Sequence, residues 1–252
     1  MRVVDAHWEL RNLGLRTLEI EFETADLPET ISKLLDENSN VIVVAKVPVG
    51  HVGLHHQLAR HGFVFCESMI DFRHDLHDVE LSSALSRLSG NVQVASASRS
   101  QVPVILENVT SGMFTTDRIS LHPRFSSVTA NRRYANWLRD ELEQGANLMQ
   151  LIYRDQVVAF FSFRIVSADE PVIALSGVFP GLVLPGMGSV LQAKILEHAR
   201  QSGCRALSTR VSTNTPAAIK THLDLDFSVG SIWNIFMRVP STYVESGSNE
   251  FQ

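Results

Sequence analysis

Val178-Phe-Pro-Gly-Leu-Val-Leu-Pro-Gly-Met-Gly-Ser189 is the stretch on which the fold reading turns. An apolar, strand-like run (Pro171–Gly177) precedes it, and an apolar-periodic run (Val190–Ala199) follows and ends at Gly203. Strand, glycine-bearing loop and helix start in that order make an anion cradle. The first N–H groups of a helix have no intrahelical partner, and the macrodipole favours negative charge there. Glycines at 186 and 188 let a phosphate reach the main chain with no Cβ in the way. The same pattern also reads as an ordinary tight turn into a surface helix.

Bulk properties narrow the class. The chain has 252 residues, room for one large domain or two small ones. Its 44% hydrophobic and 19% charged residues supply a core. A formal net charge of −5 and no long basic run speak against a nucleic-acid surface. Cys66 and Cys204 lack CxxC or zinc spacing and read as reduced thiols. Met1–His7 lacks a signal-peptide layout, and no window approaches the ~20 apolar residues of a membrane span. A soluble cytoplasmic protein without membrane partners is expected. His51 and His55 stand one helical turn apart, but there is no HExxH motif, and no metal is expected.

The chain carries one internal repeat. Lys46-Val47 precedes Gly62-Phe63 and the strand-like Val64–Phe72; Arg210-Val211 precedes Asp226-Phe227 and the strand-like Ser231–Met237. The spacing is 16 residues in both copies, from Lys46 to Gly62 and from Arg210 to Asp226. Each unit reads as strand, helix, strand, and a helix must bury its apolar stripe on a sheet. Between the copies, the serine-rich residues 79–92 read as a connecting segment. Gln93–Ala97 follows as a strand, then a helix capped by Ser100 and carrying Ile105, Leu106 and Val109. Thr115–Val128 reads as a loop, and Thr129 opens a helix with Tyr134, Trp137, Leu138 and Leu142 on one face. Leu148–Tyr153 and Val157–Val166 flank Arg154-Asp155-Gln156, a hairpin signal. The tail after Pro240 is polar and expected to be disordered.

With Val178, Pro180, Gly186 and Gly188 in this spacing, the loop resembles the pyrophosphate loop of the GNAT acetyltransferase superfamily, Val-x-Pro-x-x-(Gln/Arg)-x-x-Gly-x-(Gly/Ala). Val183 stands in the Gln/Arg slot, a departure. Phe114-Thr-Thr-Asp117-Arg118, with Pro123, Tyr134, Ala135 and Trp137, resembles the substrate-side loop and helix of the dTDP-fucosamine N-acetyltransferase group. The resemblance implies an α/β (α+β) GNAT fold with a mixed, mostly antiparallel central sheet flanked by helices. It also implies three parts: a partial GNAT-like domain and linker over 1–90, the acetyltransferase domain over 91–240, and a disordered tail over 241–252.

Function follows as what the resemblance implies: transfer of an acetyl group from acetyl-CoA to the amine of a small molecule by direct attack. The first acceptor considered is a nucleotide-linked 4-amino-4,6-dideoxy sugar. The alternatives are an amino acid, peptide or antibiotic amine, or a non-catalytic acyl-CoA-binding module. Homodimerisation stays open. Coenzyme contacts fall on Gly177, Val178, Val183, Leu184, Gly186, Met187, Gly188, Ser189 and Asn214. Asn214 reads equally as a helix cap. The Val178 N–H is the expected oxyanion donor. Aligning Asp226-Phe227 with the usual Gly-Phe puts His222 where the family keeps a tyrosine that protonates the leaving thiolate; a lone histidine on an amphipathic helix reads more often as a helix-surface residue, and a substrate contact is the third reading. Asp117, Arg118 and Tyr134 are the candidate acceptor contacts, Arg118 reading also as a surface ion pair. Asp117 and Glu107 are the carboxylates considered for the amine's proton.

Overall fold

The computed structural model describes residues 1–27, 30–166, 170–181 and 185–245. The first half runs β1 (Arg2–Asp5), a 3-10 turn (His7–Glu9), α1 (Leu10–Leu13), β2 (Thr17–Glu21), α2 (Thr30–Glu37), β3 (Ile42–Pro48), α3 (Val52–Arg60) and β4 (Val64–His74). Then come α4 (Ser83–Gly90), β5 (Val92–Ser96), α5 (Gln101–Thr110), α6 (Arg118–Leu121) and α7 (Ser127–Glu143). The chain continues through β6 (Asn147–Tyr153), β7 (Gln156–Ile165), β8 (Pro171–Val172) and β9 (Ser176–Val178). It closes with α8 (Met187–Gln201), β10 (Leu207–Ser212), α9 (Pro216–Asp224) and β11 (Ser228–Arg238).

The strands form two sheets. One has the order β1-β2-β3-β11-β4-β10; the other runs β5-β6-β7-β8, with β9 also paired to β7. Only β2 and β3 run parallel among the described pairs, so the fold is mixed and mostly antiparallel. In the larger sheet the two repeat units interlock. β11 lies between β3 and β4, and β4 lies between β11 and β10.

The registers show that the repeat is a pseudo-twofold. Shifting the numbering by 164, the offset from Lys46 to Arg210, carries the β3–β11 pairs onto the β10–β4 pairs and most β4–β11 pairs onto one another. Val47↔Asn234 maps onto Val211↔Ile70, and Val64↔Met237 maps onto Arg73↔Ser228. Met69↔Trp233 maps onto itself and marks the axis. The turns into β4 and β11 match as well. Gly62 (φ 77°) and Asp226 (φ 59°) are both left-handed, and Phe63 and Phe227 donate N–H to the carbonyls of Leu58 and His222 at 3.1 Å each.

Alternation along the strands sorts the core into layers. Val43, Ala45 and Val47 face α2 and α3, where Ile31, Leu35, Leu54 and Leu58 pack. Ile42 and Val44 point the other way, with Ile235, Met237, Ile119 and Ala130. Around α8, Val190, Leu191 and Ile195 join Phe72, Phe161 and Leu207 in a core that spans both sheets.

Three expectations need correction. Residues 79–92 are not merely a connection: Ser83–Gly90 is helical, and the Ser82 hydroxyl caps it by accepting the Leu85 N–H at 3.3 Å. Its serines mask an apolar pair, Leu85 and Leu88, packed on the main core. The loop from Thr115 to Val128 contains α6, and α7 starts at Ser127 rather than Thr129, because Ser126 caps it through the Thr129 N–H. The start of the tail is docked rather than disordered. Tyr243 is buried against Phe125, and the Glu245 carboxylate accepts the Ser126 N–H at 2.9 Å. Residues 246–252 lie outside the described residues.

Candidate functional site

Among the described strands β9 and β10 do not pair, and residues of both line one cleft. β9 bonds only to β7 among the described strands, and β10 ends the larger sheet. The gap between them opens a cleft of 1860 Å³ that runs from Gly188 at the start of α8 to Tyr134 on α7. In the first half the strands in the same order, β2 and β3, are zipped by five parallel register pairs from Thr17↔Ile42 to Glu21↔Lys46. One half therefore holds an open seam and the other a closed one.

The seam exposes main-chain donors. Ser162 N–H bonds the Leu175 carbonyl at 2.8 Å, and Phe179 N–H bonds the Val158 carbonyl at 2.9 Å. In an antiparallel ladder successive residues turn their N–H to opposite sides. Val178, paired with Ala159, thus aims its N–H away from β7 and into the gap. Gly177 is held tight: a Cβ there would strike Met113 Cε and stand 3.2 Å from Phe114 Cζ. At the other end, Gly186 (φ 85°) caps α8, and the first intrahelical bond is Val190 N–H to Gly186 O at 3.0 Å. The amides of Met187, Gly188 and Ser189 precede that bond and lack intrahelical acceptors. Gly188 lines the cleft, and a Cβ built on it meets nothing within 4 Å.

The sequence-derived residues divide. Gly177, Val178, Gly188, His222, Asp117, Arg118 and Tyr134 line the one cleft. The Met187 side chain is buried in the core beside Val190. The Ser189 hydroxyl lies 3.1 Å from that of Thr221, tying α8 to α9. Asn214 is exposed in the turn before α9, and its Nδ2 bonds Ser212 Oγ at 3.3 Å; Thr215 takes the cap position. Glu107 is on the exposed face of α5. Val183 and Leu184 lie outside the described residues.

His222 is a core residue rather than a surface one. Its ring packs on Phe72 and Phe227, with centroids 4.9 and 4.6 Å apart. Nδ1 lies 2.8 Å from the Ala218 carbonyl, a contact that only a protonated Nδ1 satisfies. Burial lowers the pKa against the pull of that bond, so the ring is neutral near neutrality with a lone pair on Nε2. That state has no Nε2 proton to give a thiolate, a departure from the expected donor role whose cause is desolvation.

The Tyr134 end of the cleft is a buried ionic network drawn from both halves. Arg133 bonds Glu9 at 2.6 Å and Asp117 at 3.1 Å; Arg118 bonds Glu19 at 2.5 Å, and Lys46 bonds Glu19 at 3.1 Å. Burial would raise Glu19, but Arg118 and Lys46 overcome it and hold the carboxyl at about 2. Arg118 is thus no surface ion pair. Asp117 also caps α6, its Oδ1 accepting the Ser120 N–H at 2.9 Å. Burial pushes the Tyr134 phenol above its usual range.

Sequence reasoning missed Glu67, Gln192 and Thr209. Each lines the cleft and carries a buried polar atom with no hydrogen-bond partner: Glu67 Oε2, Gln192 Nε2 and Thr209 Oγ1, beside His222 Nε2. Such atoms are uncommon in folded chains, and here they are open to water or to a bound molecule. Glu67 gave no local signal, since β4 also carries Ser68, Asp71, Arg73 and His74, and nothing nearby announced that β4 lines this cleft.

This architecture is the fold of the GCN5-related N-acetyltransferases. A GCN5-related N-acetyltransferase from Sphaerobacter thermophilus superposes with a TM-score of 0.59 at 11% identity, over 96% of this chain and 77% of that one. A conserved protein of unknown function from Staphylococcus epidermidis gives 0.60 at 15% identity, over 88% and 84%. A tandem GNAT protein from the clavulanic acid biosynthesis pathway gives 0.50 at 13% identity, over 82% and 66%. No protein-family model and no curated protein sequence matches the chain. No helix among the described residues is long and apolar enough to cross a membrane.

Proposed function

We propose that this chain is an N-acyltransferase that moves an acetyl group from acetyl-CoA to the amine of a small molecule. The observation that carries it is the unpaired β9 and β10 on one cleft with the first amides of α8, which have no intrahelical acceptors, against the zipped β2–β3 pair of the other half. The seam suits an extended pantetheine arm, whose amides take the strand partners that β9 and β10 deny each other. The α8 amides at Met187, Gly188 and Ser189 suit the diphosphate. The Val178 N–H stabilises the charge that grows on the thioester oxygen as the amine attacks.

The acceptor enters from the face covered by α6 and α7. The basic residues lining the cleft, Lys46, Arg11, Arg73, Arg118, Arg133 and Arg210, are all in ion pairs. A nucleotide-linked 4-amino-4,6-dideoxy sugar would have to break some of these pairs to seat its phosphates. The lining therefore favours the alternative acceptors, amines with no diphosphate. The first half, residues 1–90, supplies part of this wall through Glu9, Glu19, Lys46 and Glu67.

Calorimetric titration with acetyl-CoA tests the donor half. Thiol release across nucleotide amino sugars, amino acids and aminoglycosides tests the acceptor half. Binding without thiol release on any amine would make the chain an acyl-CoA-binding module, and no binding would end the reading.

A further inference from the structure

The seam belongs to the second half of the chain, but a buried acid without a cationic side-chain partner faces it from the first. Glu67 is on β4, 2% exposed, two residues beyond the Met69↔Ser212 pair that ends the contact with β10. A β-bulge precedes it: Ile235 faces Glu67 and Phe236 faces Phe65, so Cys66 is the extra residue. Bulges re-aim the side chains that follow them. Here Glu67 joins Met69 and Asp71 on the face toward the cleft.

The surroundings separate Glu67 from the other acids near the seam. Glu9 and Glu19 are bound to guanidinium groups, Asp117 to Arg133, and Asp71 to Arg210 at 2.5 Å. Glu67 Oε1 accepts the Arg118 N–H at 2.9 Å, which fixes the carboxyl, while Oε2 has no hydrogen-bond partner among the described residues. The Ser212 hydroxyl, donated to the Thr116 carbonyl at 3.2 Å, also lies close enough to Glu67 to favour its charged form. Cys66 is the chain neighbour of Glu67, and Asp117, Arg118 and Tyr134 face it from α6 and α7. Burial raises the Glu67 carboxyl against the pull of Ser212 and Arg118, and Asp117 adds to the rise. A carboxyl so placed takes a proton more readily than a solvated one.

We infer that Glu67 is the general base of the acyl transfer, donated by the first half of the chain to the site of the second. This rests on the acyltransferase reading above. The acceptor arrives as an ammonium, and Glu67 Oε2 takes one of its protons, directly or through one water. The freed lone pair attacks the thioester carbon, and the C–S pair leaves on sulfur. A second nitrogen proton neutralises the thiolate, and Glu67 returns its proton to solvent. The first half is thereby a working part of the site and more than a brace.

The test compares methylamine with hydroxylamine, whose conjugate acid gives up its proton far more readily and which reaches the site already deprotonated. Glu67→Gln keeps the acceptor for the Arg118 N–H, so the local fold is retained. The expected result is a loss of about 10²–10⁴ in kcat/KM for methylamine. The loss with hydroxylamine should be several-fold at most, and calorimetric affinity for acetyl-CoA should not change. Glu67→Asp should regain part of the methylamine rate. Equal losses for both nucleophiles, or none for either, would overturn the assignment. Failure of the unaltered protein to bind acetyl-CoA would instead refute the acyltransferase reading, and the titration distinguishes the two.

Discussion

Gly188→Asp should move stability and affinity in opposite directions. Gly188 is the second residue of α8 and is exposed, and a Cβ there meets nothing within 4 Å, so the new side chain displaces no atom. Glycine is a poor helix residue, and an acid in the first turn complements the macrodipole by about 0.3–1 kcal/mol. The melting temperature should hold or rise. A carboxylate about 6 Å from a phosphate charge repels it by about 0.7–2.8 kcal/mol for effective dielectrics between ~80 and ~20. Affinity for acetyl-CoA should weaken by about 3- to 100-fold at low salt, and by less at high salt because the charges are screened. Calorimetric titration at two salt concentrations, with thermal unfolding alongside, reads both effects. Unchanged affinity in a variant that melts no lower would take the diphosphate away from α8 and refute the reasoning.

Gly177→Ala should lower stability by about 1–3 kcal/mol, because its Cβ collides with Met113 and crowds Phe114; adding Met113→Ala should restore most of it, and an unshifted melting curve for the single variant would show the loop to be loose. Arg133→Met leaves Glu9 and Asp117 without their partner and should cost about 3–5 kcal/mol in urea unfolding, with part recovered by Glu9→Gln. A loss under about 1 kcal/mol would mean that water already serves the network. His74, His122 and His222 are buried, and burial lowers each pKa from 6.5. The unfolded chain then binds more protons below that value, so their contribution is complete above about pH 6.5 and declines as the pH falls toward the folded values. Each adds at most ~1.4 kcal/mol per pH unit. A urea midpoint that does not fall on acidification through this range would count against their neutral burial.

Much of the fold was legible because its signals are local. Arg154 and Asp155 both adopt positive φ, as a tight hairpin between two apolar strands requires. The spacing of Lys46 to Gly62 and of Arg210 to Asp226 anticipated the pseudo-twofold, since each copy repeats one strand–helix–strand geometry. Helix ends were less visible. Ser82 and Ser126 cap helices that composition alone presents as loop, because a serine reads the same in both settings. One wall of the cleft was legible, because one contiguous segment carries Gly177, Val178 and Gly188. The Tyr134 end was not legible. Glu9 meets Arg133, and Glu67 meets the Arg118 N–H, across sequence separations that no window along the chain contains.

The place of β4 between β11 and β10 has a consequence for biosynthesis. When the ribosome has delivered residues 42–74, both neighbours of the Val64–His74 strand are still unmade, because they come from Leu207–Ser212 and Ser228–Arg238. The nascent segment must wait, with a bare apolar ribbon exposed, for more than half of the polypeptide to be translated. Such an interval invites sticking to other chains and calls for a holding chaperone. Completion of the last strand should thus be the moment at which the whole molecule locks.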